Sequence, residues 1–385
     1  MSDSYDINSA ANITYTGGNF PYCLDFDGDG DKDLYLWSGT TYSYLLKGPL
    51  SAGTIDITDS NNYDVRFTNL SSSNSVGAGG DINGDGKEDI LSCGTLVDDC
   101  RGWFGVGTGG STVDFTLEPS DSDLEWMAMH ISIADVTGDG KGDIISGDDG
   151  YDGVSDTVLN SGRIMIWKGG ALTGADTAWD YEIRGPSVGS ALGTTIAGDV
   201  DGDGYDDLFI KHTQTGSAPV YIVWGRSATD WASATPIQIS TSDLRITSIN
   251  AGTGYAMYWG ENWGHVRDIN GDGKDDIIIG DAESTGRTCV ILGRTRSEWT
   301  SMGPSINMTT QADVCINGAD ANDYSGSAVS FGDFNGDGKQ EFVVNAPFGD
   351  GPSDSNADAG EVAIVFFNFP SNYEKPLTIN LSDHF

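Results

Sequence analysis

The chain has 385 residues, of which 54 are glycine and 38% are apolar, enough for a large hydrophobic core, so a disordered chain is excluded. A formal net charge of −39 repels phosphate backbones and anionic lipids, which argues against nucleic acid and membrane surfaces as partners and favours divalent cations. No run of about 18 apolar residues occurs and no apolar segment follows Met1, so we expect neither direct membrane insertion nor a signal peptide in this sequence.

An acidic motif of nine residues recurs along the chain at intervals of 54 to 69 residues. In chain order the copies are DFDGDGDKD (25–33), DINGDGKED (81–89), DVTGDGKGD (135–143), DVDGDGYDD (199–207), DINGDGKDD (268–276) and DFNGDGKQE (333–341). Each copy runs directly into an apolar segment typical of a β-strand, such as LYLW (34–37). Further apolar segments follow, such as RIMIW (163–167) and DYEIRG (180–185). The pattern predicts short strands, with the acidic motif as the loop between the first pair.

This repeat predicts an all-β fold, a β-propeller of four-stranded antiparallel blades with six blades in a single domain over 1–385. The chain begins and ends in the middle of a period. LTINLSD (377–383) matches TIDITDS (54–60), and SYDINSA (4–10) matches the strand that follows TIDITDS in the first period. We therefore expect the N- and C-terminal strands to share one blade, which leaves no free sheet edge.

The acidic motifs have the composition of calcium-binding loops. Carboxylates at the first, third, fifth and ninth positions can converge on one cation, and the seventh position adds its backbone carbonyl. All-oxygen ligation in a flexible loop suits Ca²⁺, whereas an EF-hand is excluded because strand residues replace its final glutamate. We predict about six Ca²⁺ sites with the ligands Asp25, Asp27, Asp29, Asp31, Asp33, Asp81, Asn83, Asp85, Lys87, Asp89, Asp135, Thr137, Asp139, Lys141, Asp143, Asp199, Asp201, Asp203, Tyr205, Asp207, Asp268, Asn270, Asp272, Lys274, Asp276, Asp333, Asn335, Asp337, Lys339 and Glu341.

Energetic magnitudes favour a structural role for these ions. With free Ca²⁺ tenfold above its dissociation constant, each site adds about 1.4 kcal/mol to the free energy of unfolding. About six such sites together add roughly 8 kcal/mol. A domain's net stability is about 5–15 kcal/mol. Thr137 replaces a carboxylate or amide at the third position, so we predict that the loop 135–143 binds Ca²⁺ most weakly.

The stretch YSGSAVSFGDFNGDGKQEFVVNAP (324–347) resembles the FG-GAP repeats of integrin α-subunit propellers. Tyr324–Ser327 stand near the family's Phe-Gly segment, and Asn345-Ala346-Pro347 match its Gly-Ala-Pro segment. The resemblance covers nearly the whole chain through the acidic loops. It implies a calcium-binding propeller located outside the cell or at its surface, and it brings in seven blades as the alternative to six, because family members are typically seven-bladed.

Loops at the end opposite the acidic motifs are the candidates for recognition, because function concentrates on loops held by a rigid scaffold. The longest and most aromatic of them are 93–105, 125–130, 147–162, 253–265 and 346–360. Flat aromatic faces there can stack on sugar rings or anchor a protein partner. The candidate ligand-binding residues are Trp103, Trp126, Tyr255, Tyr258 and Trp259. The alternative is that these rings pack between blades, the role that recurrence predicts for Trp231 and Trp299 in RSATDW and RTRSEW.

The five cysteines permit two disulfides, Cys93–Cys100 across a hairpin loop and Cys289–Cys315 if their strands are neighbours, which leaves Cys23 free. The alternative is that all of them are buried thiols.

These observations predict a calcium-stabilised recognition or adhesion module that binds a protein or glycan partner and is not an enzyme. Three alternatives stay open: a calcium-dependent lectin proper, a structural subunit assembled into a larger surface complex, and an enzyme acting on polysaccharide. The enzyme would need a basic residue near the carboxylates of the long loops at the end opposite the acidic motifs, and Arg101 and Arg163 are the candidates. Fold alone does not decide among them.

Overall fold

A computed structural model describes residues 13–16, 19–37, 42–50, 53–57, 59–68, 75–94, 100–105, 115–117, 131–153, 159–170, 172, 174–176, 178–187, 189–212, 219–240, 244–247, 264–281, 286–320, 322–327, 329–332, 340–349, 360–366 and 376–381. These residues are almost entirely β-strands and turns, with few and short helices. They fall into two compact units, one drawn from 5–195 with 226–238 and the other from 196–225 with 239–385. No helix in the described ranges is long and apolar enough to cross a membrane. That a single domain covers 1–385 stays a prediction.

Strands in the first half of the chain are short, with lengths from three to seven residues. They are β1 (Ile13–Thr16), β2 (Asn19–Leu24), β3 (Asp33–Trp37), β4 (Tyr42–Leu46), β5 (Gly53–Asp56), β6 (Val65–Thr68), β7 (Ser75–Gly80), β8 (Asp89–Gly94), β9 (Cys100–Trp103), β10 (Phe115–Leu117), β11 (Ile131–Ala134), β12 (Asp143–Asp148), β13 (Arg163–Trp167), β14 (Gly174–Asp176), β15 (Tyr181–Arg184) and β16 (Leu192–Gly198).

The second half continues in the same way and adds the helices. Its elements are β17 (Asp207–His212), β18 (Val220–Val223), α1 (Ala228–Ala234), β19 (Ile237–Gln238), β20 (Arg245–Thr247), β21 (Gly264–Arg267), β22 (Asp276–Asp281), β23 (Arg287–Ile291), α2 (Arg296–Ser301), β24 (Ser305–Asn307), α3 (Met308–Gln311), β25 (Val314–Asn317), β26 (Val329–Gly332), β27 (Glu341–Ala346), β28 (Glu361–Val365) and β29 (Leu377–Asn380).

Apart from the parallel pair β1-β5, the described strands form six sheets whose first strands pair antiparallel, and these are the blades of a β-propeller, as the repeat predicts. Their orders are β2-β3-β4-β6, β7-β8-β9-β10-β14, β11-β12-β13-β15-β19, β16-β17-β18-β20-β24, β21-β22-β23-β25-β29 and β26-β27-β28. In four of these blades the outermost strand is a fifth one from later in the chain, and it pairs in parallel with the fourth. The sequence pattern predicts only the four antiparallel strands.

Two of the parallel strand pairs show where the segments near the chain ends lie within a blade. β29 pairs in parallel with β25, and β5 pairs in the same way with β1, so LTIN (377–380) and GTID (53–56) hold equivalent positions, as their sequence match predicts. By this pairing β1 has the role of a fourth strand. It lies at 13–16, whereas the quoted segment 4–10 lies outside the described residues. That the two ends share one blade stays a prediction.

Apolar side chains from successive blades pack together within each unit. In the first unit Phe67 of β6 contacts the Trp103 ring of β9, with ring centroids 5.1 Å apart. In the second unit Phe209, Ile222 and Ile277 belong to one buried cluster. Strand β13 is buried along its whole length, because it lies inside its sheet and is covered on both faces.

Two disulfides join directly opposed residues on neighbouring antiparallel strands. Cys93–Cys100 links β8 to β9, and Cys289–Cys315 links β23 to β25. Cys23 is a free, exposed thiol. The predicted pairing is therefore confirmed, and the alternative of five buried thiols is wrong.

Candidate metal centre

Each described acidic motif forms the loop between the first two strands of its blade. The loops 25–32, 81–88, 135–142, 199–206 and 268–275 precede the antiparallel partners β3, β8, β12, β17 and β22. The ninth residue of each motif is the first residue of the second strand. The predicted placement of these loops is confirmed.

The first carboxylate of each motif organises the turn by accepting backbone hydrogen bonds. In the fifth loop Gly271 N and Asp272 N donate to Asp268 Oδ1 at 2.7 and 3.2 Å, and Gly273 N donates to Asp268 Oδ2 at 2.9 Å. The same side chain accepts in the other described loops, where it is Asp25, Asp81, Asp135 and Asp199. Gly273 has φ 83°, which a residue with a Cβ rarely adopts, so glycine at the sixth position makes this turn possible.

Carboxylate oxygens converge most closely in the loops that have aspartate at the third position. In the first loop Asp25, Asp27 and Asp29 each offer an oxygen within 4.8 Å of the others. In the fourth loop the corresponding group is Asp199, Asp201 and Asp207. The other described loops have Asn83, Thr137 or Asn270 at the third position, so an amide or hydroxyl oxygen stands where a carboxylate would.

Basic side chains contact these loops at the third or fifth position. Lys47 Nζ lies 3.0 Å from Asp27 Oδ2, and Lys168 Nζ lies 3.0 Å from Asp139 Oδ2. Lys87 and Lys274 reach the fifth-position aspartates of their own loops at 3.4 and 3.5 Å. The loops thus attract cationic groups, and their donor set of carboxylate, amide and carbonyl oxygens fits a hard divalent cation.

The ninth carboxylate lies deep in the protein. Burial raises the pKa of Asp89, Asp143 and Asp276 to about 7 and that of Asp207 to about 8, although backbone hydrogen bonds act in the opposite direction. Asp207 Oδ2 accepts from Val200 N at 3.3 Å and Asp207 Oδ1 from Gly225 N at 2.9 Å. The ninth position therefore ties the loop to the rest of its blade.

A glycine just after the third strand completes this tie, and the acidic motif does not predict it. Gly293 N donates to Asp276 Oδ1 at 2.7 Å. A Cβ at Gly293 would lie 2.5 Å from the backbone oxygen of Asp275, so a larger residue would force the backbone to shift. The same bond recurs from Gly48, Gly105, Gly169 and Gly225. Its sequence signal is a glycine two residues beyond the end of the third strand in each of these blades.

The second position of the motif is a buried apolar anchor whose carbonyl also accepts hydrogen bonds. Trp231 Nε1 on α1 donates to Val136 O at 2.9 Å, and Trp299 Nε1 on α2 donates to Val200 O at 3.2 Å. Both indoles are fully buried. The packing role predicted for the two tryptophans from their recurrence is confirmed.

The remaining predicted site residues divide into those the structure places and those it does not describe. Trp103 is 1% exposed and packs against Phe67, so its ring has no free face for a ligand and follows the packing alternative. Glu341 is buried at the start of β27. Outside the described residues lie Trp126, Tyr255, Tyr258, Trp259, Asp333, Asn335, Asp337 and Lys339. Arg163, considered for an enzyme, is 2% exposed and pairs with the buried Asp148 at 3.0 Å.

Comparison with known proteins agrees with the repeat. An FG-GAP repeat model matches residues 325–365, and an FG-GAP-like repeat model matches 268–344. Integrin alpha-4 of Xenopus laevis is 31% identical over 160 residues, which cover 40% of this chain and 14% of that protein. Integrin alpha pat-2 of Caenorhabditis elegans is 25% identical over 278 residues, covering 68% of this chain and 22% of its own. The chain therefore spans about a fifth or less of the length of these relatives.

Among solved structures, a lectin of Agrocybe aegerita that recognises non-reducing terminal N-acetylglucosamine aligns with a TM-score of 0.44 and 14% identity. The alignment covers 91% of this chain and 80% of the lectin. So distant a likeness carries no argument about function, and the assignment depends on the repeat matches, the integrin α relatives and the six blades. The chain therefore carries FG-GAP-type repeats within residues 268–365 and is an integrin-α-like β-propeller.

Proposed function

We propose that this propeller is a calcium-stabilised recognition or adhesion module that acts outside the cell or at its surface. The observation that carries the proposal is the repeated acidic loop between the first two strands of each described blade, together with the close carboxylate groups of the first loop (Asp25, Asp27 and Asp29) and the fourth (Asp199, Asp201 and Asp207). Similarity to integrin α chains supports the adhesive role and the location. The two disulfides support an oxidising compartment.

The ions would be held by the side chains of the first, third, fifth and ninth positions, together with the carbonyl of the seventh. A bound Ca²⁺ supplies positive charge that neutralises several carboxylates at once. Without it, the first loop keeps Asp25, Asp27 and Asp29 close together at a cost in mutual repulsion. Neutralising that repulsion stabilises the turn and the pair of strands that it joins.

The partner would be a protein or glycan bound by the long loops at the end of the blades opposite the acidic loops. The separation of the two ends follows from antiparallel pairing, because the loop after each second strand lies opposite the loop before it. Calcium would therefore act on recognition through the scaffold. We propose no enzymatic activity, and Arg163 is held within the protein by Asp148.

The test is binding of the folded protein to a glycan array and to a panel of immobilised extracellular matrix proteins, in Ca²⁺ and after chelation. We expect binding in Ca²⁺ that weakens as the chelated protein loses structure. Binding confined to glycans would make the protein a lectin proper. A folded protein that binds neither panel would overturn the proposal and direct attention to self-assembly.

A further inference from the structure

The fourth acidic loop (199–207) differs from the other described loops in the basic group that contacts it. Arg296, the first residue of α2, forms an ion pair through Nε with Asp201 Oδ2 and another through Nη2 with Asp203 Oδ2 at 2.9 Å. One guanidinium thus bridges the third and fifth positions of the motif. In the other described loops a lysine contacts a single carboxylate.

The protein holds Arg296 in place from several sides. Arg294 N and Trp299 Nε1 both donate to Val200 O, at 3.0 and 3.2 Å, so the start of α2 is bonded directly to the loop. The guanidinium carbon of Arg296 lies 4.0 Å from the centroid of the Trp224 ring, a cation–π distance. The arginine is therefore a fixed neighbour of the loop.

The third loop (135–143) provides an internal comparison. There Arg226 N and Trp231 Nε1 donate to Val136 O at 3.1 and 2.9 Å, the same arrangement one blade earlier. When RSATDW (226–231) is aligned with RTRSEW (294–299), Ala228 takes the place of Arg296. Thr137 likewise takes the place of Asp201. The additional carboxylate and the additional guanidinium thus occur together in the fourth loop, and neither occurs in the third.

The arginine also coincides with a difference in how the carboxylates are grouped. In the first loop the close group consists of the first, third and fifth positions, Asp25, Asp27 and Asp29. In the fourth loop the group consists of the first, third and ninth positions, while Asp203 at the fifth position faces Arg296. A guanidinium that binds one oxygen of each of two carboxylates neutralises the negative charge that a bound Ca²⁺ would otherwise neutralise.

We propose that Arg296 is an internal competitor for Ca²⁺ at the fourth loop. This inference depends on the proposed calcium binding and concerns its regulation. In the metal-free protein the guanidinium neutralises Asp201 and Asp203 and keeps the loop ordered. An ion that recruits both carboxylates displaces these two contacts, so the loop fills at a higher Ca²⁺ concentration than its carboxylates alone would require.

The test is hydrogen–deuterium exchange with mass spectrometry, following peptides that contain 199–207 and 135–143 across a Ca²⁺ titration. In Arg296→Met, which keeps a long side chain over Trp224, we expect the protection midpoint of the fourth loop to fall about fivefold, the range of an exposed ion pair. In chelator the same peptide should exchange faster than in the wild type. The midpoint of the third loop should not move.

Two further variants serve as controls. Arg296→Lys keeps a charge but cannot bridge two carboxylates, so its midpoint should lie between the wild type and Arg296→Met. Ala228→Arg places a guanidinium beside the third loop and should raise that loop's midpoint. If the Ca²⁺ concentration at half protection of the fourth loop is unchanged or higher in Arg296→Met, the proposed competition is wrong. That holds even if Ca²⁺ protects every loop and the calcium sites themselves are therefore real. A wild type in which Ca²⁺ protects no loop would overturn the proposed calcium sites themselves.

Discussion

Replacing Gly293 by alanine should destabilise the protein more than an ordinary glycine substitution in a loop. The new Cβ would lie 2.5 Å from the backbone oxygen of Asp275 and 2.7 Å from Cβ of Lys274, so the backbone must shift. Such overpacking costs about 1–3 kcal/mol. The shift also disturbs the 2.7 Å bond from Gly293 N to the buried Asp276, at a cost of about 1–3 kcal/mol if the bond is lost. We expect a total loss of roughly 3 kcal/mol in the free energy of unfolding.

Urea denaturation in saturating Ca²⁺ measures this loss, and Gly273→Ala is the matched control. Gly273 lies in the acidic loop that Gly293 contacts and has φ 83°, and nothing is within 4 Å of the position that its Cβ would take. Its substitution therefore adds backbone strain without a clash, at a cost of about 1 kcal/mol. If Gly293→Ala costs no more than Gly273→Ala, the glycine after the third strand does not tie the loop to its blade.

Three further predictions concern single contacts. Trp299→Phe removes the indole donor from the buried Val200 carbonyl, which keeps its bond from Arg294 N, and should cost about 1 kcal/mol by urea denaturation; no measurable change in the free energy of unfolding would argue against the indole bond. Replacing Cys289 and Cys315 together by alanine removes a disulfide that closes a loop of 26 residues and should cost about 3.5 kcal/mol in the same assay. An unchanged free energy of unfolding would mean that this disulfide does not form in solution. Burial lowers the pKa of Lys211 to about 8 from 10.5, so between these pH values the unfolded chain binds a proton that the folded chain does not. Stability should rise by about 3 kcal/mol across that range, and Lys211→Met should abolish the rise.

The fold was predictable from the chain because its main signal is local and repeated. Each acidic motif is continuous in sequence and is followed at once by a strand, so the order of loop and strand could be read directly. The fifth strands were not predictable, because segments such as Ile237–Gln238 and Gly174–Asp176 are too short for alternation to show. The helices α1 and α2 are likewise too short for a helical period.

The candidate site was predictable in composition but not in its supports. The motif identifies Asp276 as a candidate ligand, whereas its bond to Gly293 joins residues 17 apart that only the paired strands bring together. The contact between Arg296 and Asp201 spans 95 residues and depends on where α2 lies. Such contacts are absent from any local pattern, so sequence alone predicts where a metal would bind but not which neighbours adjust its affinity.

Thermal denaturation of Asp272→Ala tests the central claim most directly, in Ca²⁺ and in excess chelator. The control is Asp320→Ala, an exposed aspartate outside the acidic loops. If the loops bind Ca²⁺ and thereby stabilise the propeller, Asp272→Ala lowers the melting temperature in Ca²⁺ and changes it little in chelator, while Asp320→Ala changes neither. Equal losses in both conditions would contradict the account, because the loop would then stabilise the fold without metal.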